Sequence, residues 1–311
     1  MVRSLLRLTL AGVLAAAVVV GCNQTNSGNP AAPAAVAAST PDGAVSAAVK
    51  ALRDNNVAAL LEITLPPGEL AKLKADWGKE RNQEPVTAEE RAQFAETMTK
   101  LTAPDAEAKL YAEIEPKLKE FDQKSAQQMP MMIAMGQGFA QSTIQQSKDL
   151  TDAQKQQLQA LLDAVAKWAQ TTKFTDPALV KSAIAAICKT ARELNLKSAD
   201  EARALTYDQA MQKAGIVLAG LKQVLAVYGL QLDKALDSMK AETLASAGDS
   251  AKVKVTYTAF DQPFTTESDM VRVDGRWYSK QAVEQWNKHQ QELAATPSAN
   301  ADAQAAPASA K

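Results

Sequence analysis

The chain has 311 residues, 46% of them hydrophobic, and its 34 Lys plus Arg nearly balance 35 Asp plus Glu, a formal net charge of −1. That length fits one large domain or two small ones, and the balance excludes a polybasic nucleic-acid arm and an acidic solvating tail. A single histidine, His289, excludes any site built on two, and two cysteines, Cys22 and Cys188, exclude a disulfide-stapled scaffold and a four-cysteine zinc site.

The first residues, Met1 to Arg7, carry Arg3 and Arg7 and no acid, and Leu8 to Val20 is almost wholly apolar or small. That run is too short for a hydrocarbon core, which takes about 20 apolar residues, and fits the apolar region of a secretory signal. It ends in Val19-Val20-Gly21-Cys22. This segment resembles a bacterial lipobox. The resemblance implies a diacylglyceryl group on the Cys22 thiol, cleavage before Cys22, and acylation of the freed amine. Two or three acyl chains meet the requirement for stable anchoring, since one chain binds only marginally. Asn23 stands where an Asp would favour inner-membrane retention, so the resemblance implies the outer membrane of a Gram-negative host, with the body facing the periplasm. Removing residues 1–21 takes two arginines away and leaves a net charge of −3.

Residues 22–40 read as a tether, which the resemblance implies is lipidated at Cys22: Asn23 to Thr40 is rich in Ala, Pro, Ser and Asn and too poor in large apolar side chains to offset ordering entropy. A flexible stretch of that length spans roughly 25 Å r.m.s.. Residues 294–311 share this composition and read as a disordered tail. Between them lie a helical body, 41–250, and a β-meander with a closing helix, 251–293, packed on that body. The expected class is mainly α, a helical bundle with a small C-terminal three-stranded antiparallel sheet: α+β.

In chain order, Pro66-Pro67-Gly68 marks a break. Thr87-Ala-Glu-Glu90, Thr151-Asp-Ala-Gln154 and Ser198-Ala-Asp-Glu201 read as capping boxes. Pro116 is expected to end or kink the helix that begins near Pro104. Leu158, Leu161, Leu162, Val165, Trp168 and Ala169 make one apolar stripe, and Leu179, Val180, Ala183, Ile184, Ile187 and Cys188 another, the second behind an Asp176-Pro177 helix start. Gly215 to Leu230 is the most apolar stretch of the body and reads as the central buried helix, interrupted by Lys222 and Gln223. Val253, Val255 and Tyr257 then alternate with polar residues, a strand. Asp261-Gln262-Pro263 marks the next turn. Val271 to Tyr278 reads as a hairpin whose Asp274-Gly275 suits the two φ > 0 positions of a primed turn. Val283, Trp286 and Leu293 share one stripe of the last helix.

This C-terminal pattern, with an early helix from Ala44 to Leu52 and the polar turn Asp54-Asn55-Asn56, resembles nuclear transport factor 2-like and related small lipoprotein domains. The helical residues between those ends depart from that family's plain cone. The whole chain resembles bacterial lipoproteins of about this size, which implies no activity.

Catalytic patterns are sparse. There is no Gly-x-Ser-x-Gly and no Ser-x-x-Lys, and His289 lies in a polar run that reads as a solvated face. Cys188 lies late in its helix on the apolar stripe, which predicts a buried structural thiol. Glu267-Ser268 falls in a predicted strand, and Gly136-Gln-Gly138 lacks the strand and the Lys of a phosphate loop. The unusual cluster is Met129-Pro-Met131-Met132-Ile-Ala-Met135. Met129, Met132 and Met135 are spaced i, i+3, i+6, and the expected role is core packing. A groove for a partner helix, or a soft thioether site for Cu(I), are the alternatives. No catalytic residue, cofactor or nucleic-acid partner is expected. The reading is a non-enzymatic binding module of the cell envelope, attached to the membrane through acyl chains on Cys22, with an envelope protein as a partner. A peptidoglycan-active hydrolase using Asp and Glu is the alternative.

Overall fold

Helix starts are set by side chains that satisfy the orphan N–H groups of a first turn. The computed structural model describes residues 39–79, 85–125, 128–148 and 150–295. Residues 1–21, Cys22 and nearly all of the tether and tail lie outside them. The first helix, α1 (Pro41–Arg53), opens where the Thr40 hydroxyl accepts from Gly43 N–H, with Pro41 at the first helical position. After Asn56, whose side chain caps it, comes α2 (Val57–Thr64), and then α3 (Pro67–Asp76).

The next layer is α4 (Ala88–Thr102), α5 (Ala106–Ser125), α6 (Met129–Gln146), α7 (Asp152–Thr171) and α8 (Pro177–Leu194). The boxes at Thr87 and Thr151 form in full, and Asp176 caps α8. Ser198 caps α9 (Ala199–Ala204), but its box is only half made: Glu201 accepts from the Lys197 N–H instead. A box that the sequence reading passes over, Thr206 with Gln209, starts α10 (Tyr207–Val227). The short α11 (Leu232–Ser238) leads into the sheet.

Pro116 does not end its helix: α5 runs through it. Leu110, Tyr111 and Ile114 before it and Leu118 after it all pack against Val180, Ile184 and Cys188 of α8. The proline lies on the exposed side, where a carbonyl left without its helical donor is open to solvent.

Helix α10 packs on α8, α2 and α11, yet it is not buried all round. Gly215, Gly220, Lys222 and Tyr207 are buried, and most of its apolar side chains are half-buried. Among the described residues it is the one helix long and apolar enough to cross a membrane. The two glycines allow the close approach: a Cβ at 215 would collide with the Asn55 carbonyl, and one at 220 with the Thr190 side chain. The lysines close helix ends. Lys213 Nζ donates to Leu194 O at the end of α8 (2.6 Å). Lys222, 5% exposed, donates to Leu52 O (2.6 Å) and Arg53 O (3.2 Å) at the end of α1 and pairs with Asp233 (2.7 Å). Cations there complement the negative helix terminus.

The mainly helical α+β class stands, but the sheet has four strands in the order β1-β2-β3-β4: β1 (Lys240–Ala247), β2 (Ser250–Ala259), β3 (Gln262–Val273) and β4 (Arg276–Ser279), all antiparallel. The extra strand is β1, so the sheet begins inside the stretch read as helical body. It is an edge strand with a mostly exposed sequence and an irregularity between Thr243 and Ala245, so it lacks the apolar alternation that marks β2. Asp274 and Gly275 both have positive φ, as a primed turn requires. The β2–β3 turn falls on Phe260 and Asp261, also both positive, and Gln262 and Pro263 already belong to β3. A phenylalanine in the left-handed region is uncommon. Here its ring packs against Trp168, with centroids 6.3 Å apart.

One face of the sheet carries the main core. Val253, Val255, Tyr257, Phe264, Met270 and Trp277 meet Val45 and Val49 of α1 and Leu161 and Ala164 of α7. Helix α12 (Lys280–Ala295) closes the chain against β3 and β4. Its Trp286 indole donates to Glu69 on α3 (2.6 Å).

Candidate functional site

Helix α7 rests on the sheet, and α6 rests on α7. Among the described residues, α7 is the element α6 packs against. Two contacts hold this outer layer: Gln137 Nε2 donates to Asp163 Oδ1 (2.7 Å) and Lys155 Nζ to Gln145 O (3.1 Å). The half-buried positions of α6 are Met129, Ile133, Gln137, Ala140 and Ile144, the 3–4 spacing of a single helix face. That face is used up by α7.

The opposite face is apolar and open. Met131 is 67% exposed, Met132 62%, Met135 69% and Phe139 78%. This overturns the expectation that the methionine cluster packs in the core. The reason is position: among the described residues α6 packs chiefly on α7, so one of its faces is covered. The spacing i, i+3, i+6 also divides, since Met129 turns toward α7 while Met132 and Met135 turn outward. Sequence reasoning named Met131 in the cluster without giving it a role, and missed Phe139. Their signal was available, because 131, 135 and 139 fall at i, i+4, i+8. Charge is absent as well: no Asp, Glu, Lys or Arg occurs between Lys124 and Lys148.

A cavity of about 420 Å³ lies between α4 and the end of α8, where Arg192, Asn195 and Lys197 meet Met98 and Thr102. Its lining carries no carboxylate. Arg192 is engaged by Glu107 through two bonds (2.6 and 3.0 Å) and by Ala103 O, and Lys197 donates to Asn195 Oδ1. The bond to Arg192 holds the Glu107 carboxyl down at about 2. Asp76, Glu90, Glu96, Asp105 and Asp200 are likewise lowered, by hydrogen bonds to lysine, arginine or a helix cap. A general acid needs the opposite direction.

The other candidates are plainly placed. Cys188 is fully buried beside Val180 and Ile184, and burial raises its thiol, with the Glu107 charge adding to the effect. Such a thiol is inert. Glu267 and Ser268 lie in β3 as expected, and Glu267 pairs with Lys252. Gly136 and Gly138 are ordinary helical positions in α6. His289 falls in α12, and its side chain lies outside the described residues. No group of three or more His, Cys, Asp or Glu that could hold a metal occurs among the described residues. Compared with known proteins, the chain matches no protein-family model, no curated protein and no solved structure.

Proposed function

We propose that this protein is a non-enzymatic interaction module of the cell envelope, anchored in the outer membrane through acyl chains on Cys22 and facing the periplasm, with the outer face of α6 as its binding surface. The observation that supports this reading is the exposure of Met131, Met132, Met135 and Phe139 side by side. Together they present on the order of 500 Å² of apolar surface, a size at which a surface patch is often functional. Methionine suits such a role, because its unbranched, polarisable chain adapts to varied partners.

A photo-crosslinking amino acid at position 139, in growing cells, tests the surface. It should form adducts with an envelope component, lipid or protein, whereas the same group at Glu113, an exposed position on α5, should form few. Equal labelling at both positions would remove α6 as the binding surface. Metabolic labelling with a clickable fatty acid, present in the wild type and lost in Cys22→Ser, tests the anchor separately.

A further inference from the structure

The exposed face of α6 has a shape and a charge pattern that select among occupants. We infer that it docks on a lipid bilayer, with α6 lying along the interface and Met131, Met132, Met135 and Phe139 entering the headgroup–acyl boundary. This rests on the anchored reading, because the tether is what brings a membrane within reach.

The first argument is charge. Helices α4, α5, α7 and α8 all carry acids and bases, and α6 carries neither over its 18 residues. Charges are costly at a hydrocarbon boundary, whereas neutral amides and thioethers are tolerated there. The uncharged run is bounded at both ends by lysines, Lys124 and Lys148, both exposed. Lys124 also pairs with Glu120 on its own helix. Long cationic side chains at the ends of an interfacial segment reach the headgroup phosphates while their stems stay on apolar surface.

The second argument is shape. Helix-in-groove recognition needs a concave receptor. Helix α6 is the outermost layer on α7, so its free face is a convex ridge. A deformable lipid phase accommodates a ridge, and a rigid partner would need a matching groove. A second copy pairing through the same face would bury only about 1,000 Å² in total, below the roughly 1,200–2,000 Å² of stable interfaces.

The third argument is length. At 1.5 Å per residue α6 is about 27 Å long, but its large exposed apolar side chains are confined to Met131–Phe139, and Ser142, Thr143 and Gln146 follow on the exposed side. The helix lies on the membrane and does not cross it.

The test uses the chain from residue 22 onward with Cys22→Ser, which keeps every described residue and carries no lipid, and vesicles of phosphatidylethanolamine and phosphatidylglycerol at 3:1. In flotation this chain should associate with the vesicles. The variant Met131→Gln/Met135→Gln/Phe139→Gln should bind at least tenfold less at an unchanged melting temperature. In a Met132→Cys version the buried Cys188 leaves position 132 as the reactive thiol, and an environment-sensitive dye there should brighten and shift to the blue with vesicles. No flotation, equal flotation of the triple variant, or a dye that stays fully open to aqueous quencher would overturn the inference. So would a concentration-dependent dimer abolished by the triple variant, which would assign the face to a second copy. The two readings fail separately: no fatty-acid label on the full chain removes the anchor and leaves the vesicle result standing, whereas a labelled chain with an inert α6 keeps the anchor and loses the bilayer contact.

Discussion

Replacing Gly215 by alanine pits two opposed terms against each other, and the structure decides the sign. A glycine in a helix interior costs about 1 kcal/mol relative to alanine, so the substitution should stabilise α10 if the added methyl had room. It has none. A Cβ at 215 would lie well inside 3.0 Å of the Asn55 carbonyl oxygen, closer than real Cβ atoms approach anything. That oxygen is backbone, held in a left-handed residue with φ 56°. The turn is tied on both sides, by Asn55 N–H to Leu52 O (3.2 Å) and Asn56 N–H to Ala51 O (2.8 Å). Nor can α10 move away freely, because Lys222 two turns on is fixed to Leu52 and Arg53. Overpacking of this kind costs about 1–3 kcal/mol or more; set against the gain of about 1 kcal/mol, the net effect should be destabilisation of up to roughly 2 kcal/mol. For a chain of this size that is a fall of several degrees in melting temperature, at about 2–4 °C per kcal/mol. The control is Gly136→Ala in α6, where nothing lies within 4 Å of the new methyl. It gains the propensity term alone and should raise stability by about 0.5–1 kcal/mol. Urea midpoints of the two variants, measured beside wild type, check the pair. A Gly215→Ala protein at least as stable as wild type would refute the close approach of α10 to the α1–α2 turn.

Three further outcomes follow from named contacts. Lys222→Met should cost roughly 2–3 kcal/mol, because two carbonyls at the end of α1 lose a charged donor; an unchanged urea midpoint would show that this latch contributes nothing. Glu107→Gln should flatten the acid limb of stability. The Glu107 carboxyl is lowered from an ordinary 4.5 to about 2 by Arg192, so its contribution is complete above about pH 4.5 and is lost as pH falls toward 2. Identical stability profiles of variant and wild type between pH 2 and 5 would refute the pairing. Gly275→Val should destabilise by roughly 1–3 kcal/mol, since φ is +79° there and a β-branched residue is strained in that region; thermal denaturation reads it directly.

Much of the fold was legible because it depends on near neighbours in the chain. The boxes at Thr87 and Thr151, the cap at Asp176 and the primed turn at Asp274-Gly275 are contacts within four residues, so the sequence specifies them. The apolar stripe of α8 also told true, with Val180, Ala183, Ile184 and Cys188 buried and Ile187 alone left open at its margin. What escaped was decided by contacts far along the chain. Pro116 stays inside α5 because α8 packs on both sides of it. The edge strand β1 exists because β2 offers it hydrogen bonds, and its own side chains hardly alternate.

The candidate site divides in the same way. The sequence by itself determined that a methionine-rich cluster stands at residues 129–135, with Met129, Met132 and Met135 spaced i, i+3, i+6. Periodicity gives the angle between side chains but not which angle faces inward. Only the tertiary structure decided that, by stacking α6 on α7 as its main partner among the described residues, so that the face with Met129 and Ile133 is covered while Met131, Met132, Met135 and Phe139 meet the surroundings. A helix with one neighbour buries one face, and how many neighbours it has is a property of the whole packed chain.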